Sequence, residues 1–464
     1  MELFFKIVRK SIWTLIAILI VSYFIVPPVA SMFVDRDFKS KFKTVMLMSD
    51  QPKPLELSSS EKILHRALNL DTYLSVLASS IWHMPSVIID YALLPTKYPT
   101  IKKDSFGVYV DSSKASANEI LDSLKDLNIS SVAMRIYITD KYINSNEYKQ
   151  NLNLAKKLKE RGYSLMVVLA QLNETFSSSY ESLLNKVVFD FSDYASFYQA
   201  GEAINRDKWG MINKERFANY IIAVYKSVSL NDPEAKVIGP AIIDFEWYYT
   251  IYYLNLAEDF IDIQGALLYV DRVGKPENSQ YGFDTIKKVL FLKAIKPEKP
   301  LWITEVNWPI KGTGAYKPTS NKEAVSLEEY RDYMLRYLIE TLSTGYVQRV
   351  YWWQLYAKGY GLIDNLTKRK YPAFNAYKKL VTLLSGATLM KKEHKNSQFK
   401  YTFKKGQTIF NLIWNVDGKT TQAPKYLRCK SFDEEIKSDV IAISSTPVVC
   451  GDKLSMEYIS KVMR

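Results

Sequence analysis

Histidine and cysteine are scarce, with three His and two Cys among 464 residues. His65, His83 and His394 lie far apart in the chain, and no Cys-x-x-Cys or mixed Cys/His cluster exists. That argues against a zinc site. No glycine-rich phosphate loop follows the first strand-like segment, which disfavours a dinucleotide-binding sheet. No compact basic–aromatic motif is present either. The lysines are scattered, with short clusters at 155–161 and 367–370, and no DNA or RNA partner is expected. Cys429 and Cys450 both fall near the C-terminus. They either close one disulfide loop in an oxidising compartment or remain two buried thiols, and the sequence leaves both open.

What the chain has in quantity is apolar and aromatic. It is 47% hydrophobic and 24% charged, a globular balance, and long enough for one large domain and a smaller one. Its 33 Tyr and 9 Trp can pack a core, and they can also line a site for flat or sugar-like ligands. The net charge of +13 suits a surface facing an anionic membrane or polymer.

Residues 11–30, SIWTLIAILIVSYFIVPPVA, carry no charge. At ~1.5 Å per residue such a helix spans a ~30 Å hydrocarbon layer. Lys6, Arg9 and Lys10 precede it, which keeps the N-terminus cytoplasmic and places the rest of the chain in the periplasm. A cleaved signal peptide is the competing reading. The run is long for one, and Pro28 would sit three residues before a cut after Ala30, so an uncleaved inner-membrane anchor is expected. A second apolar stretch, 72–94, is interrupted by His83, Pro85 and Asp90. It suits a helix packed on the main domain or an amphipathic segment on the membrane better than a second span.

From residue 105 a strand–helix rhythm begins. Strands are expected at 105–113, 130–140, 164–171, 193–202, 235–242, 262–270, 300–306 and 348–356, with helices between them, such as 117–129, 145–163, 213–230 and 326–345. Runs such as LMVVLA are apolar on successive residues, as strands covered on both faces must be. Eight such strands fit an α/β (β/α)8 TIM barrel. Beyond residue 386 the texture becomes alternating, with a Lys-Gly break in QFKYTFKKGQTIFNLIWNV that reads as a hairpin. The expected plan is therefore a cytoplasmic stub and anchor (1–30), a helical juxtamembrane linker (31–103), the barrel (104–386) and a small C-terminal β domain (387–464).

In a barrel the C-terminal strand ends form the reactive face. Glu202, in FYQAGEAINRDKWG, follows the fourth strand, and Glu305, in LWITEVNWP, ends the seventh. Each alone could be a helix cap or an ordinary ion-pair partner. Together they are what glycoside hydrolysis needs, one carboxyl to protonate the leaving oxygen and one to attack the sugar or activate water.

At these residues the chain resembles clan A of the glycoside hydrolases, and within it family 39 and related bacterial exopolysaccharide glycosidases. The resemblance spans roughly residues 105–385. It implies that Glu202 is acid/base and Glu305 the nucleophile of a retaining reaction. It matches Arg135 to the clan's arginine beside the nucleophile, and Tyr269 to the tyrosine that hydrogen-bonds it. Trp352 or Trp353 matches the floor of the −1 sugar site, and strand alternation lets only one of them face the lumen. Trp209 and Trp308 are further stacking candidates. The chain departs from the clan at two positions. Gly201 stands where an asparagine usually precedes the acid/base, with Gln199 or Asn205 as candidate substitutes, and Leu267 stands where the clan has histidine.

The expected activity is that of a membrane-anchored retaining glycosidase acting in the periplasm on a surface polysaccharide, with no metal or organic cofactor. Its expected partners are the polysaccharide, the inner membrane through residues 11–30, and polysaccharide assembly machinery. The alternatives are a non-catalytic polysaccharide-binding or assembly protein on a degenerate barrel, and a transglycosylase using the same two glutamates.

Overall fold

A computed structural model describes residues 67–463 apart from 178, 207, 208, 210–212, 271–273, 314–324, 434–438, 440 and 441, together with five isolated positions before residue 67. The anchor expected over 11–30, and most of the stretch after it, lie outside the described residues.

Eight parallel strands close into a barrel. They are β1 (Phe106–Val110), β2 (Ser131–Tyr137), β3 (Ser164–Ala170), β4 (Ala195–Ala200), β5 (Lys236–Ile243), β6 (Ile263–Leu267), β7 (Leu301–Val306) and β8 (Val347–Trp352). Closure comes from β8 against β1, with Phe106 opposite Val350. Helices follow in the barrel manner: α2 (Ala117–Leu127), α3 (Asn146–Glu160), α4 (Tyr180–Phe191), α5 (Lys214–Asn231), α6 (Trp247–Leu256), α7 (Thr285–Ile295), α8 (Leu327–Ser343) and α9 (Pro372–Leu384), preceded by α1 (Leu70–Leu93). Local chemistry sets their ends. Ser116/Glu119 and Ser326/Glu329 form capping boxes that satisfy the first amides of α2 and α8. Just past α3, Gly162 takes φ +76°, the left-handed stop expected from the sequence.

The strands are shorter than the periodicity suggests. β4 stops at Ala200 and β8 at Trp352, so Glu202 and Trp353 sit just beyond strand ends, in the mouth. The lumen below is filled by Tyr109, Met166, Val168, Phe197, Trp302 and Tyr351. Phe197 and Trp302 lie 4.6 Å apart between ring centroids, and the Arg349 guanidinium lies 4.4 Å from the Trp302 ring. With the floor plugged, polar chemistry has only the mouth to occupy.

The segment 72–94 is helix α1, and it packs on the barrel. Val76 and Val87 join the barrel's main core, and Ser80 Oγ donates to Tyr248 O at 3.1 Å on α6. Its length and hydropathy alone would suit a membrane span, but one face is buried against protein.

Beyond the barrel, β9 (Thr388–Lys395), β10 (Gln398–Lys405), β11 (Thr408–Asn415), β13 (Arg428–Ser431) and β15 (Val448–Gly451) form an antiparallel sheet in the order β13-β15-β11-β10-β9. β12 (Thr421–Gln422) and β14 (Ala442–Ile443) make a small ribbon, and α10 (Ser455–Met463) closes the chain. The Lys-Gly break is the β10–β11 hairpin. Cys429 and Cys450, paired across β13 and β15, form a disulfide.

Gly107 on β1 is required by the lumen, because a Cβ there would lie 2.4 Å from the Tyr351 ring. Gly107→Ala should cost about 1–3 kcal/mol through overpacking, and a thermal melt showing an unchanged midpoint would contradict this account of the plug.

Candidate active site

The site begins with strand parity. Residues two apart on β2 share a face, so Ala133 in the plug places Arg135 inside the barrel, at the level of the mouth. A guanidinium buried to 8% exposure needs ionic partners. It finds two on one nitrogen. Arg135 Nη2 donates to Glu202 Oε1 at 2.9 Å and to Glu305 Oε2 at 2.5 Å. The two acceptor oxygens are therefore no more than 5.4 Å apart, the two bonds laid end to end. Both carboxylates are buried, Glu202 to 1% and Glu305 to 6% exposure.

Each glutamate is held separately as well. Tyr269 Oη donates to Glu305 Oε1 at 2.6 Å. Burial, then the Glu305 charge, pushes the Tyr269 hydroxyl well above its usual range, so it remains a neutral donor. Glu202 is fixed through its backbone. Its amide donates to Gln171 Oε1 at 2.9 Å, while Gln171 Nε2 returns a bond to Glu202 O at 2.8 Å. The neighbouring Gly201 has φ +89° and Ala203 φ +43°, so the chain bends sharply on both sides of the glutamate. A backbone at φ +89° favours glycine. This gives a physical reason for Gly201 at that position, and it leaves no side chain there.

Aromatic faces enclose the cation. The Arg135 guanidinium carbon lies 4.0 Å from the Trp353 ring centroid and 5.3 Å from that of Trp209. Burial tends to lower the Arg135 pKa, but Glu202 and Glu305 outweigh it and hold the group well above its ordinary value. Tyr109, from β1, packs on Trp353 with centroids 4.8 Å apart. Burial, then Glu202 and Glu305, raise its hydroxyl well above the usual range, and Tyr109 Oη has no hydrogen-bond partner among the described residues. Leu267 joins Ala203, Ala241 and Trp209 in an apolar patch beside this cluster.

The residues expected from sequence are thus not all gathered in one place. Arg135, Glu202, Tyr269, Glu305 and Trp353 converge. Gln199 lies beside Glu202, with Nε2 bonded to Gly201 O at 2.9 Å and a longer 3.4 Å contact to Glu202 Oε2. Asn205 points away, exchanging bonds with the Ile243 backbone and donating to Glu246 Oε2 at 2.7 Å. Trp352 and Trp308 are fully buried and stack on each other 5.9 Å apart. Trp352 Nε1 donates to Tyr330 Oη on α8 at 2.7 Å, and Trp308 packs on Tyr333 and Tyr337 of the same helix. These two tryptophans belong to the layer between β8 and α8, because strand parity turns Trp352 outward and Trp353 inward. Sequence reasoning missed Gln171 and Tyr109. The rule that found Glu202, a polar residue just past a strand end, applies equally to Gln171 after β3.

No protein-family model and no curated protein matches the chain. Solved structures do. The chain is similar to a family 39 glycoside hydrolase from the gut symbiont Bacteroides cellulosilyticus WH2, at 14% identity and a TM-score of 0.56, covering 76% of this chain and 83% of that one. It is also similar to a GH30 endoxylanase from Clostridium papyrosolvens C71, at 12% identity, TM-score 0.53 and coverage of 77% and 98%. A GH39 β-xylosidase from Caulobacter crescentus aligns at 12% identity, TM-score 0.51 and coverage of 78% and 98%. The chain shares the closed (β/α)8 barrel fold with these glycoside hydrolases. In this barrel the two buried glutamates stand just after β4 and at the end of β7, joined by a cation from β2.

Removing that cation should leave two carboxylates buried without it. Arg135→Met is expected to cost about 3–5 kcal/mol in chemical denaturation. Most of this should return in Arg135→Met/Glu202→Gln/Glu305→Gln, and equal stability of wild type and the single variant would remove the basis for an ion triad.

Proposed function

We propose that this protein is a retaining glycoside hydrolase acting on a bacterial surface polysaccharide from the outer side of the inner membrane, held there by residues 11–30. The observation that carries the reading is the pair of buried glutamates on one guanidinium, with facing oxygens no more than 5.4 Å apart. An oxygen pair within that limit is closer than the ~6.5–9.5 Å that inverting enzymes keep between their carboxyl groups for water, which supports direct attack by one carboxylate. Glu305 is the nucleophile. Tyr269 fixes one of its oxygens and Arg135 the other, which supports a carboxylate oriented for attack. Glu202 protonates the leaving oxygen as Glu305 bonds to the anomeric carbon. It then takes a proton from water, whose oxygen displaces Glu305 and releases the sugar.

The wall beside Glu202 supports a substrate with little hydroxyl recognition on that side. Gly201 offers no side chain and Leu267 is apolar, so a deoxy or substituted sugar fits better than one that displays a full set of hydroxyls. Polysaccharide assembly machinery at the membrane is the partner class this role implies.

A specific observation favours a second reading, a polysaccharide-binding or assembly protein on a barrel that no longer cleaves. Arg135 contacts Glu202 as well as Glu305, and a cation on Glu202 opposes the proton that a general acid must carry. The full chain, incubated with the producing organism's surface polysaccharide and a panel of 4-nitrophenyl glycosides, separates the two. Hydrolysis predicts new reducing ends. Glu202→Gln should lose about 10²–10⁴-fold on polysaccharide, while on a nitrophenyl glycoside, whose leaving group needs no proton, it should keep a fast first-turnover burst of nitrophenol followed by slow turnover, because water then lacks its base. Glu305→Gln should be inactive on both. Binding without cleavage in all three proteins would establish the second reading.

A further inference from the structure

Helix α1 carries an outer face that water does not suit. Its inner stripe, Tyr73, Val76, Ser80 and Val87, is buried on the barrel. Its outer stripe displays Leu74, Ile81, Trp82, Ile88, Ile89 and Leu93, with Trp82 at 80% and Ile81 at 75% exposure. From Thr72 to Ile89 the helix holds no charged residue. A helix packed by one face on a soluble barrel normally turns Lys and Glu outward, and a continuous apolar stripe marks a surface that meets something apolar.

We infer that the outer face of α1 lies in the interface of the lipid bilayer, so that the barrel rests on the membrane by its side. The inference rests on the membrane-anchor reading of residues 11–30, a charge-free run that holds this part of the chain close to a bilayer. Fewer than sixty residues separate that run from the middle of α1. The flanks agree. Trp82 is an interfacial residue by chemistry, and the exposed Lys97 follows the helix, suited to anionic head groups.

The way α1 lies on the barrel then sets the orientation of the mouth. At its start, Asp71 pairs with Lys214 Nζ at 3.0 Å, and the Lys214 amide donates to Thr72 Oγ1 at 3.2 Å. Lys214 opens α5, on the side of the β4 loop that carries Glu202. After its end, Pro95 O accepts from Tyr346 Oη at 2.5 Å, next to the first residue of β8 on the barrel floor. The helix therefore runs from mouth to floor, over ~36 Å at ~1.5 Å per residue. With its outer face on lipid, the barrel axis lies along the membrane and the mouth opens sideways. A polymer leaving or lying on that surface would meet the two glutamates edge-on.

Nitroxide labels test this in the full chain reconstituted into phosphatidylethanolamine–phosphatidylglycerol vesicles. The labelled variants are Ile81→Cys, Ile89→Cys and, across the barrel on α3, Lys149→Cys. The native cysteines are held in their disulfide and do not react. An alkaline carbonate wash tests the anchor independently. The expected result is a chain that survives the wash, with labels at 81 and 89 relaxed several-fold more by oxygen than by a water-soluble nickel chelate, and the opposite preference at 149. A chain that survives the wash with labels at 81 and 89 behaving as at 149 overturns the inference and leaves the anchor intact. Labels shielded from both reagents would show protein on that face, a second copy or a partner, and overturn it equally. A chain stripped by the wash defeats the anchor reading, and the inference falls with it. Ile81→Glu/Ile89→Glu provides a second readout. The barrel should keep its melting temperature while labels at Trp82→Cys move into water.

Discussion

One guanidinium nitrogen bonded to two carboxylates is the constraint on which the rest depends. Three charges inside a protein are costly, several kcal/mol apiece even after relaxation, and their mutual attraction offsets this only when the geometry is close to ideal. Arg135 comes from β2, Glu202 from the turn after β4 and Glu305 from β7. No two of these are neighbours in sequence, so only the closed barrel brings them within bonding distance. Much around the mouth then reads as support for that contact. Gln171 clamps the Glu202 backbone from both sides, Tyr269 holds the far oxygen of Glu305, and Trp353 lies against the guanidinium. Packing alone would not call for such an arrangement, since an apolar trio would be as stable or more so.

The C-terminal sheet takes part in the same support, at one remove. Helix α8 is buried from Tyr330 to Ser343 without a break, which an outer barrel helix could not be unless something covered it. The sheet and its loops do this. Thr446 Oγ1 donates to Asp332 at 2.8 Å, and Arg331 reaches Asp433 at 3.2 Å. Glu277, in the loop after β6, accepts from Trp414 Nε1 at 2.8 Å and pairs with Arg336 at 3.3 Å. The same loop supplies Gly274 O to Trp308 Nε1. The sheet thus braces α8 and the β6 loop together, and through them the layer on which β7 and β8 rest.

Much of this was legible in the sequence because burial on both faces leaves a plain signature. Continuous apolar runs marked the strands, and a charge driven onto the end of one, Glu305 after LWIT, had few structural explanations. The arginine and tyrosine were legible only through a family resemblance, since a lone Arg in MRIY or Tyr in LLYV carries no local signal. What failed to read had a common cause. Trp352 and Trp353 are adjacent and chemically identical, and only strand register decides which one faces the mouth. Trp308 and Asn205 sit in loops, where periodicity is silent and side-chain direction is set by partners far away, α8 for one and Glu246 for the other. Gln171 was overlooked because it works through another residue's backbone, a role that composition does not mark. Helix α1 read equally well as a packed helix and as an interfacial one because its two faces are both apolar, and the structure accounts for only one of them.

The shared cation also sets a condition on any chemistry at this site. A general acid must hold a proton, yet a carboxylate 2.9 Å from a guanidinium is stabilised in its charged form. Arg135 can serve Glu305 throughout a double displacement only if its hold on Glu202 loosens when a sugar arrives. The geometry favours that order of events. The Glu305 contact is the shorter, and Tyr269 keeps that carboxylate fixed from the other side. On Glu202, Gln199 Nε2 adds a contact at a marginal 3.4 Å. A glycosidic oxygen inserted beside Glu202 would compete with the weaker of the two ion contacts. Burial by the incoming sugar would then raise the proton affinity of the carboxyl that has lost its cation. Glu305 would keep both of its donors, Arg135 and Tyr269. One arginine can thereby set two chemically identical residues apart, because it shares its hold on Glu305 with Tyr269.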